Sequence, residues 1–131
     1  MEDGKTDLMN KYIIPGQPIP LQRPRFYNGH VIDSQRSEKL HTATYIRFLK
    51  VGPITMLEGP IHLTLTFFMK KPKKGKKIWH SSRPDLDNLV KFILDVCNGV
   101  LYKDDAQVAK ITTEKIYDDE PRTEIYIEEL G

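Results

Sequence analysis

From Ile61 to Met69 the chain alternates. Ile61, Leu63, Leu65 and Phe67 are interleaved with His62, Thr64, Thr66 and Phe68. A period of two predicts a strand with one buried face. Between Leu86 and Asn98 the period lengthens. At roughly 100° per residue, with Asp87 set at about 0°, Leu86, Leu89, Val90, Ile93, Val96 and Cys97 fall within about 180–300°. Lys91, Asp95 and Asn88 then fall near ~40°, ~80° and ~100°. The spacing predicts an amphipathic helix with a core arc and a polar stripe of Asp, Asn, Lys and Asp. Gly99 stands where a C-terminal glycine stop belongs. A weaker helical spacing runs through Leu40, Ala43, Ile46 and Phe48 or Leu49. It predicts a helix over Ser34–Lys50, capped by Ser34 or Ser37 and ended by Gly52-Pro53. Lys11–Pro15, Val108–Tyr117 and Thr123–Glu129 read as strands. The turn residues Asp118-Asp119-Glu120-Pro121 predict that the last two form a hairpin.

The resulting order is β-α-β-α-β-β, an α+β (mixed α/β) fold with helices against one mixed sheet. The 131 residues suit a single domain over 1–131, with 1–10 a loose polar leader. Prolines 15, 18, 20 and 24 forbid helix and favour an extended path that carries Gln22, Arg23, Arg25, Phe26 and Tyr27. Basic and aromatic residues on such a path either touch nucleic acid or form an ordinary surface loop.

The net charge of +2 conceals an asymmetry. Residues 1–83 hold 15 Lys/Arg and 6 Asp/Glu; residues 84–131 hold 5 and 12. A basic half beside an acidic half suits a polyanion held against a cation-binding centre. The single cysteine, Cys97, excludes an internal disulfide framework and a cysteine-rich zinc site, and falls on the apolar arc. Four scattered histidines give no zinc spacing, and there is no phosphate-binding glycine loop. No apolar run reaches the ~18–20 residues of a membrane span. These features point to a cytoplasmic protein without a membrane partner.

The candidate chemistry lies between residues 70 and 108. Lys70, Lys71, Lys73, Lys74, Lys76 and Lys77 form a phosphate-attracting loop, and Arg83 leads to Asp85-Leu86-Asp87-Asn88. The segment continues to Leu94-Asp95, and Asp104 and Asp105 follow nine and ten residues after Asp95. Carboxylate oxygens are what hard divalent cations bind, and phosphodiester cleavage needs an activated water and charge neutralisation. Asp87 and Lys91 are i,i+4 neighbours, and Asp85 sits beside the unpaired N–H groups of the helix start. Taken singly, each element has a commoner structural use: an N-cap, a solvated ion pair, a turn. The short connector Gly99–Lys103 returns Asp104-Asp105 either to the helix start or to a dimer partner. The Asp104-Asp105 loop and the apolar residues near Val100, Leu101 and Tyr102 are candidates for the rim of that dimer. Trp79 either stacks on a base or packs.

At Arg83-Pro84-Asp85-Leu86-Asp87-Asn88-Leu89, with Lys91, Asp95 and Asp104-Asp105-Ala106-Gln107-Val108, the chain resembles the RusA family of phage-derived Holliday-junction resolvases. The resemblance implies a homodimeric, Mg2+-dependent endonuclease, with Mn2+ as a substitute, that nicks four-way junction DNA symmetrically in recombination and repair. It implies Asp85, Asp87 and Asp105 as essential carboxylates and metal ligands, Lys91 as essential beside them, and Asp104 as a supporting metal ligand. Some members carry a second arginine where Pro84 stands here, so that phosphate contact passes to Arg83 or to the lysine block. Gln22-Arg23-Pro24-Arg25-Phe26 is similar to members from Gram-positive bacteria and their phages. Two other readings share these residues: a non-catalytic DNA-binding module, and a metal-dependent phosphatase or nucleotide hydrolase.

Overall fold

The computed structural model describes residues 11–23, 25–32, 34–50 and 56–131, with the backbone alone for Arg25 and Ile32. The expected leader 1–10 and the Gly52-Pro53 stop lie outside the described residues. The elements are β1 (Lys11–Pro15), β2 (Arg25–Tyr27), β3 (His30–Ile32), α1 (Arg36–Leu49), β4 (Ile61–Lys70), α2 (Leu86–Cys97), a 3-10 turn (Asp105–Gln107), β5 (Val108–Asp118) and β6 (Arg122–Glu129). The α+β class and the mixed sheet are as expected.

β4 alternates along its length as its sequence predicts, with Ile61, Leu63, Leu65, Phe67 and Met69 buried. Ile125 and Ile127 of β6 lie on the same face. Leu89, Phe92, Ile93, Val96 and Cys97 of α2 and Ala43 and Ile46 of α1 complete that core. Each large aliphatic side chain so buried contributes about 1.5–3 kcal/mol. In α1 Leu49, partly buried, rather than Phe48 continues the apolar spacing of Ala43 and Ile46; Leu40 and Phe48 are exposed, Phe48 to 83%. Its N-cap position is Gln35, not a serine, and no side-chain capping bond forms there among the described residues. After α2, Gly99 takes a φ of +79°, the left-handed turn for which glycine is suited.

The expected β5–β6 hairpin does not form. The sheet order is β1-β6-β4-β5, so β4 lies between them, parallel to β5 and antiparallel to β6. The most apolar strand takes the centre, and residues 119–121 carry the chain across its end. Arg122 fastens this crossing. It donates to Asp118 Oδ2 and the Glu120 carbonyl, both at 2.8 Å, and its guanidinium lies 3.6 Å from the Phe68 ring centre. One element was not foreseen: β2 and β3 form a hairpin around Asn28-Gly29, both at positive φ.

Candidate active site

Because β4 and β5 are parallel, α2 carries the chain back between them. The chain leaves β4 at Lys70, at the C-terminal end of both strands, and from Ile78 it turns back along β5 towards Asp85. The turn around Asp104 and Asp105 lies at the start of both strands, where Ile61 pairs with Val108.

Asp85 occupies the N-cap of α2. Its carbonyl accepts from the Asn88 and Leu89 N–H groups at 3.2 and 3.3 Å, but its carboxylate makes no capping bond among the described residues. Asp85 and Asp87 are both exposed. Lys91 Nζ stands 3.9 Å from Asp87 Oδ2, a loose exposed pair that contributes little to stability. Asp95 leaves this group and pairs with Lys39 of α1 at 3.3 Å. The polar stripe of α2 thus divides: Asp85, Asp87 and Lys91 at one end, Asp95 at the other.

Several contacts fix the approach to Asp85. Lys115 of β5 donates from Nζ to the carbonyls of Ser82 (2.7 Å) and Pro84 (2.6 Å). The Lys115 carbonyl accepts from the His80 N–H at 3.1 Å, and the Tyr117 N–H donates to the Ile78 carbonyl at 2.9 Å. The chain that follows the lysine block is therefore tied along the outer edge of β5. On the other side, the Leu21 N–H donates to the Asn88 carbonyl at 2.8 Å. Buried Gln35 donates to the Pro20 carbonyl and accepts from the Gln22 N–H, at 2.8 and 2.7 Å. These bonds hold the root of the β2–β3 hairpin beside the first turn of α2, and they set exposed Arg23 there. Lys70, Lys71, Lys73, Lys74, Lys76, Lys77 and Arg83 are exposed. The Arg25 side chain lies outside the described residues. Asp85 and Asp87 are flanked by basic segments on two sides.

The second acidic pair is built differently. Asp104 Oδ1 accepts from the Ala106 N–H at 3.0 Å, and Gln107 Oε1 accepts from the N–H of Lys103 and Asp104 at 2.9 and 3.0 Å, a capping box. Gln107 Nε2 donates to the carbonyls of Leu57 and Gly59, which anchors the turn to the entry of β4. Asp105 is left exposed. A hydrogen bond with Asp104, then desolvation, then the charges of Asp104 and Asp95 hold its carboxyl above the ordinary carboxylate range. Crowded carboxylates of this kind are relieved by a proton or a cation.

Asp104-Asp105 do not return to the helix start. α2 has 12 residues, and at about 1.5 Å per residue it separates its two ends by roughly 18 Å. The connector cannot recover that distance because it turns tightly under the helix: the Val100 N–H donates to the Cys97 carbonyl at 2.9 Å and Tyr102 Oη to the Leu94 carbonyl at 3.3 Å. Val100, Leu101 and Tyr102 are buried in the core, so they do not form an interface rim. Among the described residues no three His, Cys, Asp or Glu side chains gather into a group that could hold a metal ion. Within one chain, Asp85 and Asp87 stand close in sequence at the start of α2, and a hard cation held there would take its remaining oxygen ligands from water, phosphate or a further carboxylate. Cys97 is buried, and its thiol is pushed up to about 12, which leaves it un-ionised at neutral pH. No helix among the described residues is long and apolar enough to cross a membrane.

The positioning roles of Lys115 and Gln35 have no signature in the sequence, whereas Gln107 stands in the second motif, three residues after Asp104, at capping-box spacing. The hairpin did have one: Asn-Gly between Phe26-Tyr27 and Val31-Ile32 is a type I′ signal, masked by the surrounding prolines.

The family profile of endodeoxyribonuclease RusA matches residues 15–128. The uncharacterized protein YqaN of Bacillus subtilis is 31% identical over 137 aligned residues, covering 92% of this chain and 96% of YqaN. A crossover junction endodeoxyribonuclease of Lactococcus phage r1t is 41% identical over 73 residues, covering 54% of this chain and 56% of the phage protein. With the family profile spanning both acidic segments and the strands that carry them, the chain belongs to the RusA family of endodeoxyribonucleases.

Proposed function

We propose that this protein is a structure-selective endonuclease that acts as a homodimer on four-way junction DNA, in recombination and repair in the cytoplasm. It makes paired symmetric nicks and depends on Mg2+, with Mn2+ as a substitute. The name of the phage r1t relative supports the substrate class. The observation that carries the reading is the separation of the two acidic pairs at opposite ends of α2. A twofold axis across the exposed stripe of α2 would set the partner's Asp104 and the partner's Asp105 against Asp85 and Asp87, and would do so twice. The commonest oligomer symmetry then completes two identical sites, one for each strand to be cut.

In each such site Asp85, Asp87 and the partner's Asp105 supply the carboxylates, and Asp104 fixes the turn that presents Asp105. A divalent cation bound there supplies Lewis acidity and a water of lowered pKa. The Lys91 ammonium, beside Asp87, is placed to neutralise charge that develops on the phosphate. Arg23, Arg25, Arg83 and the lysine block bind phosphates and carry no sequence information.

The test is incubation of a synthetic mobile four-way junction with the protein, with and without Mg2+, and mapping of products on all four strands. Paired symmetric nicks that need Mg2+ are expected. A saturated but uncut junction would leave only a DNA-binding module.

A further inference from the structure

Trp79 is the only tryptophan of the chain, and it is 60% exposed, next to Ile78, which is also exposed. Leaving so large an aromatic in water forgoes the ~1.5–3 kcal/mol that burial of a large apolar side chain returns. Its backbone is nevertheless fixed. Trp79 bridges to Ile116, with Ile78 and His80 bonded on either side of it to Tyr117 and Lys115. His80 packs on Tyr117, ring centres 4.9 Å apart. The indole is thus presented from the sheet edge rather than carried on a loose loop. Six lysines precede it between Lys70 and Lys77, and Arg83 and Asp85 follow it.

We infer that Trp79 is a stacking platform for an unpaired base of the bound DNA. This rests on the nuclease reading above and deepens it. A strand whose phosphates lie on the lysine block, and which continues to Asp85, passes the segment that carries Trp79. Every base offers a π-face, and stacking on an aromatic side chain contributes about 1–3 kcal/mol per base. In an intact duplex each base is already stacked between its neighbours. At a branch point or in a single strand a base is available, so the platform favours branched DNA over duplex. A second copy of the chain is the other conceivable occupant. A twofold contact centred on Trp79 would bring two lysine blocks together, and their like charges oppose it.

Because Trp79 is the sole tryptophan, its emission reports this site without a label. The experiment follows the intrinsic fluorescence of the full chain carrying Asp87→Asn, which prevents cutting, while the anisotropy of dye-labelled DNA reports binding separately. Junction DNA and a single-stranded oligonucleotide should quench the emission strongly at saturation, and blunt duplex at saturation should quench it far less. Trp79→Ala should weaken junction binding by about tenfold, Trp79→Phe should retain most of it, and neither should change the salt dependence. Anisotropy showing bound junction with unchanged tryptophan emission would overturn the platform and leave the nuclease reading intact. A blue shift that appears on raising protein concentration without DNA would overturn it in favour of a contact between copies. No binding to any DNA would sink the nuclease reading, and the platform with it.

Discussion

The Lys115 ammonium lies 2.6 Å from the carbonyl oxygen of Pro84, the residue before Asp85. A second bond from the same ammonium, to Ser82, makes β5 the support of the acidic segment. Lys115→Met keeps the length of the side chain and removes both donors. Hydrogen bonds to a charged group contribute about 1.5–3 kcal/mol in favourable settings, and these are partly exposed, so the stability loss should sit at or below the low end. Misplacement of Asp85 should cost cleavage more, up to about a hundredfold. Urea unfolding and single-turnover cleavage measure the two effects; a variant destabilised but fully active would assign Lys115 to stability alone.

The acids and Lys91 should separate binding from chemistry. Asp85→Asn, Asp87→Asn and Asp105→Asn keep shape and remove charge, so cleavage should collapse while junction binding survives or tightens. Lys91→Ala should lose cleavage without unfolding, since Lys91 is exposed and off the core face. Lys91→Arg should not rescue, because a planar fork is not a point charge. Gel-shift and cleavage assays on the same preparations measure both properties, and an Asp87→Asn protein that cut at the parental rate would remove Asp87 from the site.

Much of the fold that carries this site is legible in the sequence. Of the expected core arc of α2, Leu89, Ile93, Val96 and Cys97 are buried and Leu86 and Val90 partly so, with Phe92 added at its flank, and β4 alternates as written, because one-dimensional periodicity encodes which face is covered. Three things were not legible. The turn after Asp118 looks like a hairpin locally, and only the competition of strands for the central position sends β6 to the far edge of β4. Leu40 fits a helical period yet stays exposed, because period alone does not say whether a partner surface exists. The distance between Asp87 and Asp105 depends on the direction of α2 relative to β5, which a motif in sequence does not contain.

The lysine block should govern the electrostatic part of binding. Each phosphate neutralised adds about −0.9 to the slope of log K against log salt on duplex DNA. Replacing Lys73, Lys74 and Lys76 with alanine should flatten that slope by as much as roughly 2–3 and weaken all DNA alike. Fluorescence anisotropy across a salt series measures this, and an unchanged slope would show that the block faces away from DNA.

The crossing over β4 should make stability depend on pH. The Glu120 N–H and then the Arg122 guanidinium hold the Asp118 carboxyl below its usual range. A lowered folded-state pKa adds stability above the unfolded value, near pH ~4, and that stability is lost as pH falls through the folded value. Asp118→Asn should therefore lower the thermal midpoint at pH 7, and the gap to the parent should close as the solution is acidified below about pH 4. A gap that stayed constant with pH would mean that the Asp118 charge does not act.

The claim that each site is shared between two copies is tested most directly by mixing two inactive proteins. Asp87→Asn and Asp105→Asn chains are combined, unfolded and refolded together, and assayed for nicking of a four-way junction. If the acids meet across a twofold axis, each mixed dimer regains one intact site and loses the other twice over. Random pairing then restores about a quarter of the parental sites, seen as single nicks rather than paired ones. If each chain builds its own site, every site in the mixture carries a substitution. A mixture as inactive as its two components, from chains shown to exchange, would contradict the shared site.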